Sequence, residues 1–390
     1  MLLNYPHGFE TYGAVRIHDI IKVLEIDATN YKGLRGTYTL SYDSIEDYAL
    51  RTAIIVPVKN EDFLTLEGVL SAVPHSSLII VVSASARSPV DVYSHEVELA
   101  RTLYSATRRG ILIVHQHDPV WRDIFVDTKL SNIIDEETGT VRKGKGEGML
   151  LGALLAASLG YQYIGYIDSD NYVPGSVHEY SWIYYAGFSI SKSPYTMVRI
   201  KWLFKGKLAS SHMYLRRRGR VSMVTNSILN YAISLIRRVE TDIVKTANSG
   251  EHALSVELAL KMKWAGGFAI EPFQLVYLLE TCYLGLDDGL CEFLPNGVSI
   301  YQIEARNPHI HAERGDEHIV SMVAKSLATI YYSRLGSEEV RERIEKILRD
   351  YGWLEPPPKL TIYDPRGIDP SPIAGKLLSE SQDAYFFEPR

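Results

Sequence analysis

Tyr163-Ile-Gly-Tyr-Ile-Asp168-Ser169-Asp170-Asn171 is a short apolar run that ends on two carboxylates two residues apart. Three earlier runs have the same texture: Thr52–Val58, Leu78–Ser83 and Ile111–His115. Each has strand length, each is rich in β-branched residues, and none alternates apolar with polar. That is how parallel strands covered on both faces read. Between them the spacing predicts helices over Glu61–Val73, Tyr93–Arg108 and Gly148–Leu159. Strands and helices in alternation mean an α/β fold with a Rossmann-like, mostly parallel sheet. In such sheets ligands bind beyond the carboxyl ends of the strands, so the residues after each run matter most.

Asp168 and Asp170 sit at such an end. Two carboxylates at i and i+2 approach one point if the chain turns there. A hard divalent cation takes such oxygens and shares its remaining positions with water and phosphate. Asp-x-Asp alone is a common pattern, and a solvated turn capping a helix is the plain alternative. Its place after the fourth strand run favours the cation.

The other strand ends add polar groups. Pro57-Val58-Lys59-Asn60-Glu61 leaves the first strand where a nucleotide base and ribose would lie, with Lys59 suited to phosphate. Ser83-Ala84-Ser85-Ala86-Arg87 leaves the second, and its small hydroxyl residues allow close approach to a ribose. Arg142-Lys143-Gly144-Lys145-Gly146-Glu147-Gly148 is a basic, glycine-rich loop opening a helix, suited to an anion. It has the spacing of neither a P-loop nor a dinucleotide fingerprint. His309 and His311 could complete a metal shell, and His115-Gln116-His117-Asp118 is a rival cluster. Arg199 to Arg220 holds eight Lys/Arg and no Asp/Glu, against a net charge of −6. That asymmetry suits a small polyanionic acceptor, a solvated basic face or, less well, RNA. Lys245 through His252 reads as a helix start, with Ser249 as cap and Ser249–Trp264 as the helix; Glu251 there satisfies the helix dipole or holds a sugar hydroxyl.

The bulk numbers exclude several classes. The 390 residues, 46% hydrophobic and 23% charged, suffice for a large core. The charge favours neither nucleic acid nor an anionic membrane surface. The start shows no signal peptide and no run approaches a membrane span, so a cytoplasmic protein is expected. The two cysteines, Cys282 and Cys291, read as buried free thiols, with a bridge as the alternative. Strands are expected at 195–204 and 212–215, and helices at Val320–Leu335 and Glu338–Arg349. The tail beyond Pro356, with Pro370, Pro372 and Pro389, reads as an irregular surface extension.

Taken in order, Pro57 to Glu61, Gly144 to Gly148, Asp168 to Asn171, Arg218-Gly219-Arg220-Val221, Lys245 to His252 and Arg306-Asn307-Pro308-His309 resemble mannosyl-3-phosphoglycerate synthases, across roughly residues 5–315. Singly these motifs are modest; as an ordered set they are specific. Ser169 departs from the usual alanine between the aspartates, at a side chain that need not ligate metal.

The resemblance implies an A-type glycosyltransferase fold with a C-terminal helical extension. It places a catalytic domain at 1–270 and an extension at 271–390 that contributes the metal histidine. It implies retaining transfer of mannose from GDP-mannose to 3-phosphoglycerate, towards the compatible solute mannosylglycerate. Pro57, Val58, Lys59, Asn60, Glu61, Ser85, Lys145 and Asp168 would bind the donor. Arg220, Thr225 and Asn226 would grip the acceptor. Asp170 and His309 would hold the metal, Mg2+ ahead of Mn2+ or another divalent ion, with Asp168 close by. Asp168, Asp170 and Glu251 form the catalytic set, Glu251 being the one loose candidate for a nucleophile. Oligomeric state stays open, a homodimer included.

Four rivals stand beside this reading. A nucleotidyltransferase would carry its basic glycine-rich signature straight after the first strand, where Lys59-Asn60-Glu61 stands. A glucosyl-3-phosphoglycerate synthase separates only by donor competition. A nucleotide-sugar sensor would leave the aspartates idle. A metal hydrolase would use His115, His117 and His309.

Overall fold

The computed structural model describes residues 1–26, 35–209, 212–216, 219–285, 297–311 and 315–389, with 205–209, 212–216 and 316 as backbone only. The four quoted runs form adjacent parallel strands in the spatial order Ile111–His115, Leu78–Ser83, Thr52–Val58, Tyr163–Tyr166. Thr52–Val58 is therefore followed on one side by the second strand and on the other by the fourth. Strand order reverses there, which opens a crevice at the carboxyl ends. The loops carrying Lys59 and Asp168 flank that crevice.

Helices cover both faces, as the uninterrupted apolar strands require. Lys145–Ser158 packs on one face with Leu150, Leu151 and Leu154 fully buried. Pro174–Ile190 packs on the other through Tyr180, Ile183 and Tyr184. Asp62 and Asp91 cap the helices Phe63–Ala72 and Val92–Thr107 by accepting from Thr65 N and Ser94 N. Among the described residues no helix is long and apolar enough to cross a membrane.

Beyond the fourth strand the sheet becomes mixed. His252–Ser255 runs antiparallel between Tyr163–Tyr166 and Tyr195–Trp202, and the latter pairs in parallel with Val298–Ala305. Ser249–Trp264 is thus not one helix. His252–Ser255 is fully buried between two strands, and only Val256–Lys261 is helical. Ladder bonds and burial on both sides outweigh local helix propensity here. The strand His212–Arg216 stays out of the main sheet and forms a separate three-stranded sheet with Lys205–Ala209 and His309–His311.

The main sheet runs across the expected boundary at 270. Val298–Ala305 lies inside it, and the apolar stretch 17–24 supplies Val15–His18 and Ile21–Glu25 along its far edge. The proline-rich tail is also ordered into the fold. Ala384–Phe387 pairs antiparallel with Ile111–His115 and closes that edge, while Ile362–Tyr363 pairs with Trp264–Ala265. Prolines 370, 372 and 389 flank these strands rather than interrupt them. The helix expected at Val320–Leu335 lies four residues earlier, at Asp316–Tyr331, and the one expected at Glu338–Arg349 runs Glu338–Asp350. Cys282, at the end of the helix Ile270–Cys282, is disulfide-bonded rather than a free thiol; Cys291 lies outside the described residues.

Candidate active site

A cleft of about 1160 Å³ opens at the strand-order reversal, lined by the ends of all four parallel strands. At its centre is Lys145. The helix begins three residues earlier than the apolar spacing predicts, which brings Lys145 into its first turn. Its Nζ lies 2.6 Å from Asp168 Oδ1 and 2.9 Å from Glu271 Oε1. Burial alone would lower the Lys145 pKa, but the Asp168 and Glu271 carboxylates outweigh it and hold the ammonium well above its ordinary value. Glu271, in the first turn of Ile270–Cys282, escaped notice in the sequence because 126 residues separate it from Lys145.

Two glycines let the backbone close around this pair. A Cβ on Gly250 would stand 2.6 Å from Asp168 Oδ2 and 2.9 Å from Lys145 Nζ. A Cβ on Gly146 would stand 2.3 Å from the Ala265 carbonyl oxygen. Glu147 ties the same turn to the C-terminal residues: its carboxylate accepts from Tyr363 OH at 2.7 Å and from Gly267 N at 2.9 Å.

Asp168, Glu251 and His309 bring ligand atoms within 4.8 Å of one another. Two carboxylates and an imidazole are a donor set that suits a divalent cation. Asp170 lines the same cleft without joining this group. Glu251 is fully buried, and His309 Nδ1 lies 3.3 Å from its Oε1. Trp202 stacks on the outer face of the His309 ring, with centroids 4.7 Å apart. Glu251 itself does not line the cleft. It follows a loop rather than opening a helix, so the dipole argument for it lapses. That loop is pinned by Arg199, which is fully buried and donates to Thr246 O, Ala247 O and Glu271 O. Burial lowers the Arg199 pKa to about 10, with Glu271 opposing the shift.

The expected donor residues gather on one wall. Pro57, Val58, Lys59, Asn60, Glu61 and Ser85 all line the cleft. Asn60 adopts a left-handed backbone (φ 53°), which its side chain tolerates. Ser85 and Asn60 are engaged within the protein. Ser85 Oγ donates to Glu96 and accepts from Asn60 N, while Asn60 Oδ1 accepts from Ala86 N. They therefore fix the wall's shape as much as they offer contacts.

The expected acceptor residues separate. Arg220 lines the cleft at the start of the helix Arg220–Arg237. Thr225 and Asn226 do not. Thr225 Oγ1 donates to Val221 O inside the helix, and Asn226 holds the 245–247 loop by bonds to Lys245 O and Ala247 N. The helical turn points both away from the opening. The basic run itself divides: Arg199 is interior, Lys201 pairs with Glu304, and Arg217 and Arg218 lie outside the described residues.

The rival histidines are used structurally. His115 Nε2 meets Ser85 O at 3.0 Å and His117 Nδ1 meets Val141 O at 2.8 Å. Burial lowers the His117 pKa, against the pull of the Val141 carbonyl. Neither belongs to the donor group around His309.

Residues 5–376 match the family described as mannosyl-3-phosphoglycerate synthase (osmo_MPGsynth). The mannosyl-3-phosphoglycerate synthase of Aeropyrum pernix is 52% identical over 387 residues, covering 99% of this chain and 100% of the relative. That of Pyrococcus furiosus is 42% identical over 372 residues, 94% of each chain. Among solved structures, a glucosyl-3-phosphoglycerate synthase from Mycobacterium tuberculosis, in complex with Mn2+, UDP-glucose and glycerol 3-phosphate, has a TM-score of 0.49. It is 16% identical, covering 80% of this chain and 86% of that one, too loose a likeness to bear on fold or ligand.

Proposed function

We propose that this chain, which belongs to the mannosyl-3-phosphoglycerate synthase family, moves mannose from GDP-mannose to 3-phosphoglycerate with retention at the anomeric carbon. It is a glycosyltransferase. The observation that carries the donor half of the reading is Lys145, a partly buried cation at a helix N-terminus, facing the strand end that bears Asp168 and Asp170. A sugar-nucleotide diphosphate needs a fixed cation there, because negative charge grows on the leaving phosphate as the sugar departs.

A divalent ion, with Mg2+ preferred, would be held by Asp170 and His309. Asp168, paired with Lys145, stands close by in the same donor group as His309. Glu251 stands behind His309 Nδ1, the position of a carboxylate that orients a metal-bound imidazole. The ion supplies charge neutralisation at the diphosphate. The protein does the rest. Lys145 holds the departing phosphate, the 57–61 loop positions the nucleoside, and Arg220 with its helix N-terminus draws the anionic acceptor.

Retention requires a double displacement or attack on the face that the leaving group vacates. Glu251, the loose candidate for a nucleophile, is fully buried and off the cleft lining. Same-face attack follows. The bond from the anomeric carbon to the diphosphate oxygen breaks, the acceptor hydroxyl oxygen bonds to that carbon, and its proton passes to the departing phosphate. A cytoplasmic location is part of this reading.

The test is GDP release from GDP-mannose with Mg2+, with and without 3-phosphoglycerate, for the wild type and Asp170→Ala. Release should require the acceptor and fall by at least about a hundredfold in the variant. Release that is faster with a UDP- or ADP-sugar would refute the donor assignment.

A further inference from the structure

The acceptor in the proposed reaction carries two anionic groups, a phosphate and a carboxylate. Arg220 and the N-terminus of its helix account for one. The cleft offers a second cation that no motif points to. The helix Asp316–Tyr331 presents His318, Ile319, Met322 and Lys325 to the opening, at the spacing of one helical face. Its opposite face, with Val323, Ala324, Leu327 and Ala328, is buried in the core.

Asn248 fixes where Lys325 stands relative to Arg220. Its Nδ2 donates to Ser326 Oγ at 2.8 Å, one residue after Lys325. Its backbone oxygen lies 3.5 Å from Ser222 Oγ, two residues after Arg220. One buried side chain and its own backbone thus bridge the two helices at the cleft wall. Among the described residues Lys325 has no carboxylate within ion-pair distance. Asn248 Oδ1 is buried behind the same wall and, among the described residues, has no hydrogen-bond donor. A cleft-lining ammonium without an ion pair, on the wall that Asn248 and Arg220 also line, is a charge that an anionic ligand would complete.

We propose that Lys325 is an acceptor-binding residue that pairs with the carboxylate of the phosphoglycerate, while Arg220 and its helix N-terminus hold the phosphate. This rests on the proposed function above. The division follows from chemistry. A forked guanidinium beside free backbone N–H groups matches the several oxygens of a phosphate. A lysine is a point charge and needs only one partner. With both ends held, the hydroxyl between them is presented to the anomeric carbon.

The experiment measures steady-state constants of wild type, Lys325→Met and Lys325→Arg, together with inhibition by glycerol 3-phosphate, which lacks the carboxylate. Lys325→Met should raise the KM for 3-phosphoglycerate about tenfold or more. The KM for GDP-mannose and the inhibition constant of glycerol 3-phosphate should stay within about twofold, and Lys325→Arg should recover most of the loss. An unchanged KM for 3-phosphoglycerate overturns the assignment. So does an equal weakening of glycerol 3-phosphate, which would put Lys325 on the phosphate or mark a structural lesion. A wild type that releases GDP without any acceptor dependence overturns the underlying reading instead, and does so before any variant is made.

Discussion

Gly250→Ala isolates the Lys145–Asp168 pair with one methyl group. The new Cβ would fall 2.6 Å from Asp168 Oδ2 and 2.9 Å from Lys145 Nζ, where ordinary contact begins at 3.4 Å. Asp168 must then retreat by about 0.8 Å, or the loop must move by the same amount. Neither has an easy path. Asp168 is held on its other oxygen by Lys145 at 2.6 Å, and the loop is fastened by Arg199 and Asn226. The Gly250 backbone is not in the left-handed region, so alanine itself brings no strain in φ. The lesion is therefore one of position. A displacement near 1 Å at a charged group in the site costs roughly a hundredfold in rate, or about 2.7 kcal/mol of barrier. The assay is kcat/KM for the donor, with thermal melting as a control. Melting should move by only a few degrees. The double variant with Lys145→Ala should lose little more than Lys145→Ala alone, because both act on one pair. If Gly250→Ala keeps activity within about threefold of wild type, the close packing over the pair does not matter to turnover and the argument fails.

Two further expectations follow from buried groups. Glu251→Gln should weaken the apparent affinity for the divalent ion by about 10- to 100-fold, yet hold kcat within about tenfold at saturating ion; a thousandfold loss of kcat at saturation would sink the positioning role and restore the nucleophile. His18 stacks on Tyr301, with ring centroids 4.3 Å apart, and burial, aided by Arg16, lowers its pKa to about 4. Its folded pKa lies below the unfolded value of about 6.5, so the unfolded chain binds the proton first as pH falls. This site therefore costs nothing above pH ~6.5 and removes stability between there and pH ~4, by roughly 2 kcal/mol after allowing for partial exposure. Urea unfolding of wild type and His18→Gln at pH 7 and pH 5 checks the sign: the wild type should lose more stability than the variant, and parallel losses would refute it.

What could be read from the sequence follows from how each part is held together. The four parallel strands are covered on both faces, so each carries its own evidence as an unbroken apolar run. Their order then places the loops at 57–61, 83–87 and 168–171 around one opening, and the donor wall becomes legible. The opposite wall is assembled by tertiary contacts that leave no local period. His252–Ser255 is four residues long and followed by a helical turn, so its segment reads as helix until its two neighbouring strands are known. Glu271 is defined by a lysine 126 residues earlier. Thr225 and Asn226 share the first turns of a helix with Arg220, but a helix turns neighbours to different faces, and only the start of this one meets the cleft. The tail misled for a related reason: its prolines are real interruptions, yet the Ala-Tyr-Phe-Phe between them had a free sheet edge to fill. The same division runs through the chemistry. Lys59 and the 57–61 loop come from the first half of the chain, where strand order predicts position. Arg220, Asn248 and Lys325 come from the second half, where a helix N-terminus, a loop and a helix face converge without a shared motif. A change of acceptor within such a scaffold would thus involve residues after 219, and leave the strand-end motifs untouched.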